Sequence, residues 1–478
     1  MSNTSSNQFR TDVVSGTTGI IAAYCIGILC LPVITHFYKP EHIGSWQILL
    51  AGINLLIPLA TLQLDKAIVL ERSGKTTSWL LVAVAINTVA ICVLLLVAGL
   101  FFGDRVIRLL NLRGVEDIVL IGMAGLILQV ALLSLNALII KQKKFRNQAI
   151  SKILGALTIP VLAVSALIFF EASSFIFIIA SMSGILVQVA FLYKSVDVKG
   201  FSCIRYPGTQ KIVAAIKKYR VYPTYMVPYS LSQAGVWQVT LLTFGMFFSA
   251  GVVGAYTVAR QIVYMPVSLL SVGLKQAVFS YAVAVPKYDE GIKNQIRGLL
   301  INIINLTSPL AVFGFFHLPG FINMVLGEGW ENVGVFSSWM LLSASALMLT
   351  SWLDRIFDVY GRQRLAVFLQ ISSDVLFLLV LAVCCLVEVG VLATIIWLSV
   401  FLMVYNLLWL YIVLDILAFA KKFWLHLVAR MVLLAVVFML IMKFLEAMLS
   451  LWLALSAEIL LLSCLGYLIY KTDRASHA

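Results

Sequence analysis

Apolar and polar positions in this chain are segregated into long blocks. Apolar runs of about 20 residues, enough for a helix to cross a bilayer, recur from end to end with short polar segments between them. Taken in order they predict about fourteen spans. The first six lie near 12–37, 44–70, 77–102, 117–140, 149–170 and 174–193. The next six lie near 223–249, 251–285, 298–324, 334–353, 365–387 and 390–415, and the last two near 425–445 and 448–470. The expected fold class is all-α, a polytopic membrane protein, and an even span count keeps both termini on one side.

The polar blocks set the orientation, because cytoplasmic loops of membrane proteins collect Lys and Arg. With the N-terminus inside, the inner segments hold Arg72 and Lys75, Lys141 to Arg146, Lys194 to Arg220, and Lys287, Lys293 and Arg297. They also hold Arg355, Arg362, Arg364, Lys421 and Lys422. That side takes about 26 of the 34 Lys and Arg, against about five outside: Lys39, Arg105, Arg108, Arg113 and Lys443. Both termini are expected in the cytoplasm, with the polar N-terminus retained.

The longest hydrophilic stretch, 194–222, divides the chain. Within it, Ile212, Ala215, Ile216 and Tyr219 share one helical face with cations mostly elsewhere, which predicts a short helix on the cytoplasmic membrane surface. The expected organisation is an N-terminal lobe at 1–193, a linker at 194–222, a C-terminal lobe at 223–415, and two added spans with a tail at 416–478. Internal similarity supports two related six-span halves. Ile43-Gly44-Ser45-Trp46 opens the second span as Val253-Gly254-Ala255-Tyr256 opens the eighth, with Pro58 and Pro266 following at similar depth. The loop Lys141–Arg146 matches Tyr360–Arg364, and Ile107–Asn111 matches Ile322–Gly327, each at an offset of roughly 210–220 residues. Parallel repeats of this kind usually enclose a site near the midplane and alternate its access.

Composition sharpens the class. The chain is 62% hydrophobic and 12% charged, with mean hydropathy +1.02, far from a soluble protein. The net charge of +13 then marks loops beside anionic lipid, and no nucleic-acid partner is expected. The seven cysteines have no metal-ligand spacing and mostly sit in apolar runs, so no disulfide framework is expected. Ser73-Gly74-Lys75-Thr76 resembles the end of a phosphate-binding loop, but Val69 stands where the motif needs Gly. The five histidines make no recognised metal spacing, and the external loops are short with few acids, which argues against an enzyme.

Ionisable residues within spans are the candidate chemistry. Arg260 lies well inside the eighth span, where a guanidinium costs roughly 2.5–3.5 kcal/mol at bilayer depth. It either lines a wet cavity and meets an anionic cargo, or bonds to helix carbonyls or an acid. Lys275 rises about 22 Å beyond it within roughly 60° of the same face. Lys66 is a further cationic candidate, and Asp65 and Asp374 are secondary cavity candidates. Asp374, Asp415 and Glu458 are each possible ligands for a coupling cation or ordinary buried acids. No cofactor is expected, and a coupling ion, Na+ or H+, is left open.

Several of these segments carry a family resemblance. They are Pro32–Tyr38, Ile43–Trp46, Leu62–Leu70, Val253–Pro266, Leu326-Gly327-Glu328-Gly329-Trp330 and Tyr360–Gln363. The chain resembles polysaccharide-biosynthesis flippases of the O-antigen and exopolysaccharide type, in the multidrug/oligosaccharidyl-lipid/polysaccharide flippase superfamily. The resemblance implies two six-helix lobes in a V shape, two C-terminal helices, and export of an undecaprenyl-pyrophosphate-linked oligosaccharide across the bacterial plasma membrane. It implies a substrate-binding role for Arg260, where the similar lipid II flippase family has a cavity arginine on its eighth helix, and polysaccharide polymerase and chain-length proteins as partners. That family has further arginines on its first helix; here the first span has none beyond Arg10. The alternatives are an ion-coupled multidrug exporter of the same superfamily and a non-transporting scaffold for polysaccharide assembly.

Overall fold

A computed structural model describes residues 2–110, 117–197, 208–284, 289–448 and 455–467. Arg113, Cys203, Lys287 and His477 lie outside these described residues. The helices are α1 (Ser2–Phe37), α2 (Pro40–Thr61), α3 (Leu64–Leu70), α4 (Gly74–Leu109), α5 (Ile118–Lys141), α6 (Phe145–Ala166) and α7 (Ser174–Ser195). There follow α8 (Thr209–Lys218), a π-helical turn at Tyr222–Met226, α9 (Val227–Phe247), α10 (Ala250–Ala284) and α11 (Glu290–Leu326). The chain continues through α12 (Glu331–Thr350), α13 (Ile356–Val359), α14 (Gln363–Leu386), α15 (Val391–Ile416), α16 (Lys421–Met448) and α17 (Leu455–Tyr467). No strand occurs among the described residues. Eleven of these helices are long and apolar enough to cross a membrane, and shorter apolar helices at Ile21–Phe37, Ala234–Phe247 and Leu455–Tyr467 stand at the other three expected spans.

The second expected span is broken. Leu62 and Gln63 take left-handed φ values of 49° and 56°, ending α2 and starting α3. Such a break frees carbonyls that the bilayer cannot hydrate. Asn87 of α4 donates its side-chain amide to two of them, Leu59 O at 2.7 Å and Ala60 O at 2.9 Å. The matched loops after α5 and α13 share one turn geometry. Lys143 and Gly361 both have positive φ, and the following residues, Lys144 and Arg362, donate N–H five residues back to Ile139 O and Phe357 O. This Schellman geometry caps both helices, and it recurs at Glu388–Val389 and Ala418–Phe419, so it is a common helix stop in this chain.

By contacts the chain forms two compact units, Met1–Thr257 with Leu326–Trp330, and Val258–Val325 with Glu331–Ala478. The division falls inside α10, later than the linker at 194–222.

In the first unit α1 packs along α6, α6 along α7, and α2 against α5 and α9. The opening turns of α2 and α10 meet backbone to backbone. A Cβ on Gly44 would stand 1.7 Å from Ala250 O, and one on Gly254 would stand 2.0 Å from Pro40 O. The contact is reciprocal: Pro40 and Ala250, like Gly44 and Gly254, are separated by 210 residues. The segments Pro32–Tyr38 and Leu326–Trp330 also meet within this unit. Gly327 and Gly329 adopt φ of 84° and 86°, open to glycine without strain. The turn they make delivers Trp330, fully buried, whose indole N–H donates to Thr35 O at 3.1 Å. Three residues on from Thr35, the Tyr38 hydroxyl donates to Ala163 O at 2.7 Å.

At the predicted inner side, α8 is docked on the protein. On its apolar face Ile212 and Ala215 are buried, and the helix packs on α4. Glu71 holds the end of α8. Its carboxylate accepts from Lys218 Nζ at 2.5 Å, the Tyr219 hydroxyl at 3.0 Å and the Ser73 N–H at 2.9 Å. Ser73 is also the N-cap of α4, which accounts for the Ser-Gly-Lys-Thr string without a nucleotide. Burial alone would raise the Glu71 carboxyl, but those three donors outweigh it and hold it at about 2.

The second unit has an apolar core where α10, α11, α14, α15 and α16 approach the segment Trp352–Phe357. Trp352, Leu353, Leu300 and Leu410 are fully buried there, and Arg297 lies over the rings of Phe419 and Phe423 at 5.8 and 5.4 Å.

Two outcomes follow from these contacts. Helix propensity favours Ala over Gly by about 1 kcal/mol, but a methyl at Gly254 overlaps backbone that cannot rotate away. Gly254→Ala should therefore destabilise the purified protein by about 1–3 kcal/mol in thermal unfolding, whereas Gly52→Ala, with open space around it, should not. Glu71 has a depressed pKa, so its contribution to holding α8 is present above about 4.5 and is lost as pH falls toward 2. Hydrogen exchange should show α8 less protected in Glu71→Gln near neutral pH, with the difference from the native chain shrinking through that acid window.

Candidate functional site

The residues of α10 at 260, 264, 271 and 275 lie on one helical stripe, because a helix repeats every 3.6 residues. Three of them are rungs to α12 and the turn after it. The Tyr264 hydroxyl is 2.5 Å from Ser343 Oγ, and Ser271 Oγ is 2.5 Å from Ser351 Oγ. Lys275 forms an ion pair with Asp354. Polar side chains inside an apolar helix are satisfied here by partners on a parallel neighbour, as a membrane interior requires.

The fourth position is Arg260. It is half-buried, and its charge acts on the Tyr264 phenol one turn later. Below it Pro266 has no N–H to offer, which leaves the carbonyl of Ile262 without its usual helical donor. α10 itself contains no acidic residue.

The other sequence-named residues are placed as follows. Lys66 is exposed on α3, and its neighbour Asp65 is partly buried with Oδ1 unpartnered. Asp374 on α14 accepts from Gln370 of its own helix at 3.0 Å. Lys66 and Asp65 belong to the first unit, and Arg260, Lys275 and Asp374 to the second. Within the second unit Arg260 and Lys275 share the α10 stripe, with Asp374 on a different helix. Lys275 is engaged by Asp354.

A cavity of about 1110 Å³ opens in the second unit between α10, α11, α12 and α17. Ile262, Pro266 and Leu270 line it from α10, Leu310 and Phe321 from α11, and Leu455 and Ile459 from α17. Its polar lining is confined to Thr307, His317, Ser345 and Ser456. Arg260 is not among its lining residues, so this chamber suits apolar chains, not phosphate. The polar rungs Tyr264–Ser343 and Ser271–Ser351 escaped the sequence reading, which weighed only charged residues. A Ser or Tyr every one to two turns along an apolar run was the available signal.

The fold is similar to that of the lipid II flippase MurJ in an inward closed conformation, with TM-score 0.74, 12% identity, and 97% of this chain and 99% of that chain covered. It is also similar to a multidrug resistance MATE family transporter of the MOP superfamily in an inward-facing conformation, with TM-score 0.58, 12% identity and coverage of 86% and 95%. A mutant of the Vibrio cholerae MATE transporter VcmN matches with TM-score 0.51, 14% identity and coverage of 87% and 98%. At these identities the likeness is one of fold. No curated protein matches at a significant level. The family described as "Polysaccharide biosynthesis protein" matches residues 33–335, more than half of the chain. On that match the chain belongs to the polysaccharide biosynthesis protein family, built on the all-helical membrane fold of MurJ and the MATE transporters.

Proposed function

We propose that the chain is a flippase that carries an undecaprenyl-pyrophosphate-linked oligosaccharide from the inner to the outer leaflet of a bacterial plasma membrane by alternating access. Both termini are cytoplasmic in this reading. The repeat halves are 1–193 and 223–415, and polysaccharide polymerase and chain-length proteins take the product. The observation that carries it is Arg260, a half-buried guanidinium well inside an apolar helix. Family membership and the flippase-like fold support the same reading.

The physical reasoning starts from the cargo's charge. A pyrophosphate cannot cross the bilayer core unless donors replace its hydration shell. A guanidinium is the side chain best suited to this, with a planar fork that bonds two phosphate oxygens at once. Lys66, in the first unit, is exposed and remains a separate candidate cation, while Lys275 serves only after leaving Asp354. The prenyl chain needs an apolar surface, and the cavity bordered by α17 supplies one within the second unit. The chemistry is transport, with no bond made or broken, and no catalytic residue is assigned.

An ion-coupled exporter is the second reading, favoured by the MATE likeness and by the buried, unpartnered Oδ1 of Asp65. Asp65→Asn would then abolish cation-driven drug efflux; under the flippase reading the chain supports no such efflux.

Arg260→Ala, expressed at the native level in cells lacking the native gene, should cut surface polysaccharide about ten- to hundredfold, the loss expected for a charge-assisted contact. Arg260→Lys should retain part of it. Full export by Arg260→Ala would instead support a scaffold role. Two negative charges leaving an inside-negative compartment gain about 4.6 kcal/mol per 100 mV when uncompensated. Flipping in liposomes without ion gradients should therefore speed up under an inside-negative potential, and equal rates with and without it would contradict charge-assisted export.

A further inference from the structure

Away from the α10 stripe, three ligating side chains converge from three helices. His317 comes from α11, Glu446 from the end of α16 and Glu458 from the start of α17. His317 Nε2 is 2.7 Å from Glu458 Oε2, and one donor atom from each of the three lies within 4.8 Å of the others. Glu458 is 0% exposed, yet its second oxygen, Oε1, is buried with no hydrogen-bonding partner. Lys443 lies one turn earlier on α16. Its ammonium is 3.7 Å from Glu446 Oε2 and 5.2 Å from the Phe316 ring, and it is mostly exposed. The Phe313 ring lies 4.7 Å from the imidazole.

This arrangement is short of positive charge. Two carboxylates stand together, one of them wholly buried, and a single imidazole can engage only one oxygen of Glu458. Lys443 addresses Glu446, the exposed acid, and not the orphaned oxygen. A buried acceptor without a partner is rare in folded proteins and points to a missing ligand. The donor set decides which ligand. Hard cations such as Mg²⁺ and Ca²⁺ take oxygen shells, whereas one imidazole with two carboxylates suits a borderline divalent ion.

We propose that His317, Glu446 and Glu458 form a binding site for a divalent transition cation of the Zn²⁺ type. Zinc bonds of about 2.1 Å place tetrahedral donors about 3.4 Å apart. The His317–Glu458 pair therefore opens slightly and Glu446, on the exposed side, swings in. Three protein donors leave a fourth position for water. The ion ties α16 and α17 to α11. His317 also lines the apolar cavity, as do Ser456 and Ile459 on either side of Glu458, so the ion fixes the wall that α17 contributes. The site stands independently of the cargo assigned above. It escapes sequence motifs because its ligands are spread along the chain, with 141 residues between His317 and Glu458.

The test uses the full chain in detergent, stripped with EDTA and titrated with zinc sulfate, with bound zinc measured by elemental analysis after desalting. Native protein should hold about one zinc per chain and unfold at a higher temperature when loaded, and magnesium should not compete. Glu458→Gln should lose the zinc, and Glu446→Gln should weaken binding at least tenfold. Because Glu446 is exposed, that variant reads out the site even where Glu458→Gln fails to elute as a folded species. Zinc binding equal in the native chain and in Glu446→Gln and His317→Gln would overturn the proposal. So would an absence of stoichiometric zinc, or equal competition by magnesium; the trio would then be a His–Glu pair with Lys443 as the counterion of Glu446.

Discussion

Where α2 and α10 begin, two backbones touch with no side chain between them. Gly44 and Gly254 are the positions that permit this, each facing a carbonyl on the other helix. The contact fixes the opening turn of α10 within the first unit. Because glycine is the only residue that fits, the pairing leaves no room for adjustment by rotamer change. The buried Trp330 and Tyr38, each donating to a backbone carbonyl, brace the same unit with directional bonds, which survive in a low-dielectric interior better than exposed ones.

The second constraint is that every polar group taken into an apolar protein needs a partner. Asn87 captures the carbonyls freed by the break after α2. Tyr264 and Ser271 meet serines of α12 and its following turn, and Lys275 meets Asp354. Glu71 gathers three donors at the end of α8. These pairings separate structural polarity from functional polarity. Charged or polar groups that the fold leaves with spare capacity, such as Asp65 Oδ1 and Glu458 Oε1, are where an external ligand has something to gain.

Much of the architecture was legible in the sequence because membrane helices are written in long apolar blocks, and helices occupy every expected span. Gly44 and Gly254, singled out as equivalent openings, turn out to touch. The break at Leu62–Gln63 was not legible, since neither residue is a helix breaker and the left-handed turn is held by tertiary contacts. The helix that α8 packs on was not legible for a related reason. An amphipathic face fits a membrane surface or a protein groove equally well, and α4 supplies the groove. Lys275 read as a cavity cation because its partner Asp354 lies 79 residues away. The His317, Glu446 and Glu458 cluster was invisible for the same reason, although Glu458 alone had stood out as an ionisable residue in a span.

Transport of a lipid-linked oligosaccharide is tested most directly by where that intermediate resides when the gene is deleted. Leaflet-specific labelling of the lipid-linked oligosaccharide in such cells should find it accumulated on the cytoplasmic side, with surface polysaccharide lost. An intermediate that reaches the outer leaflet at its normal level, while surface polysaccharide is still lost, would contradict a flippase and leave an assembly role in its place.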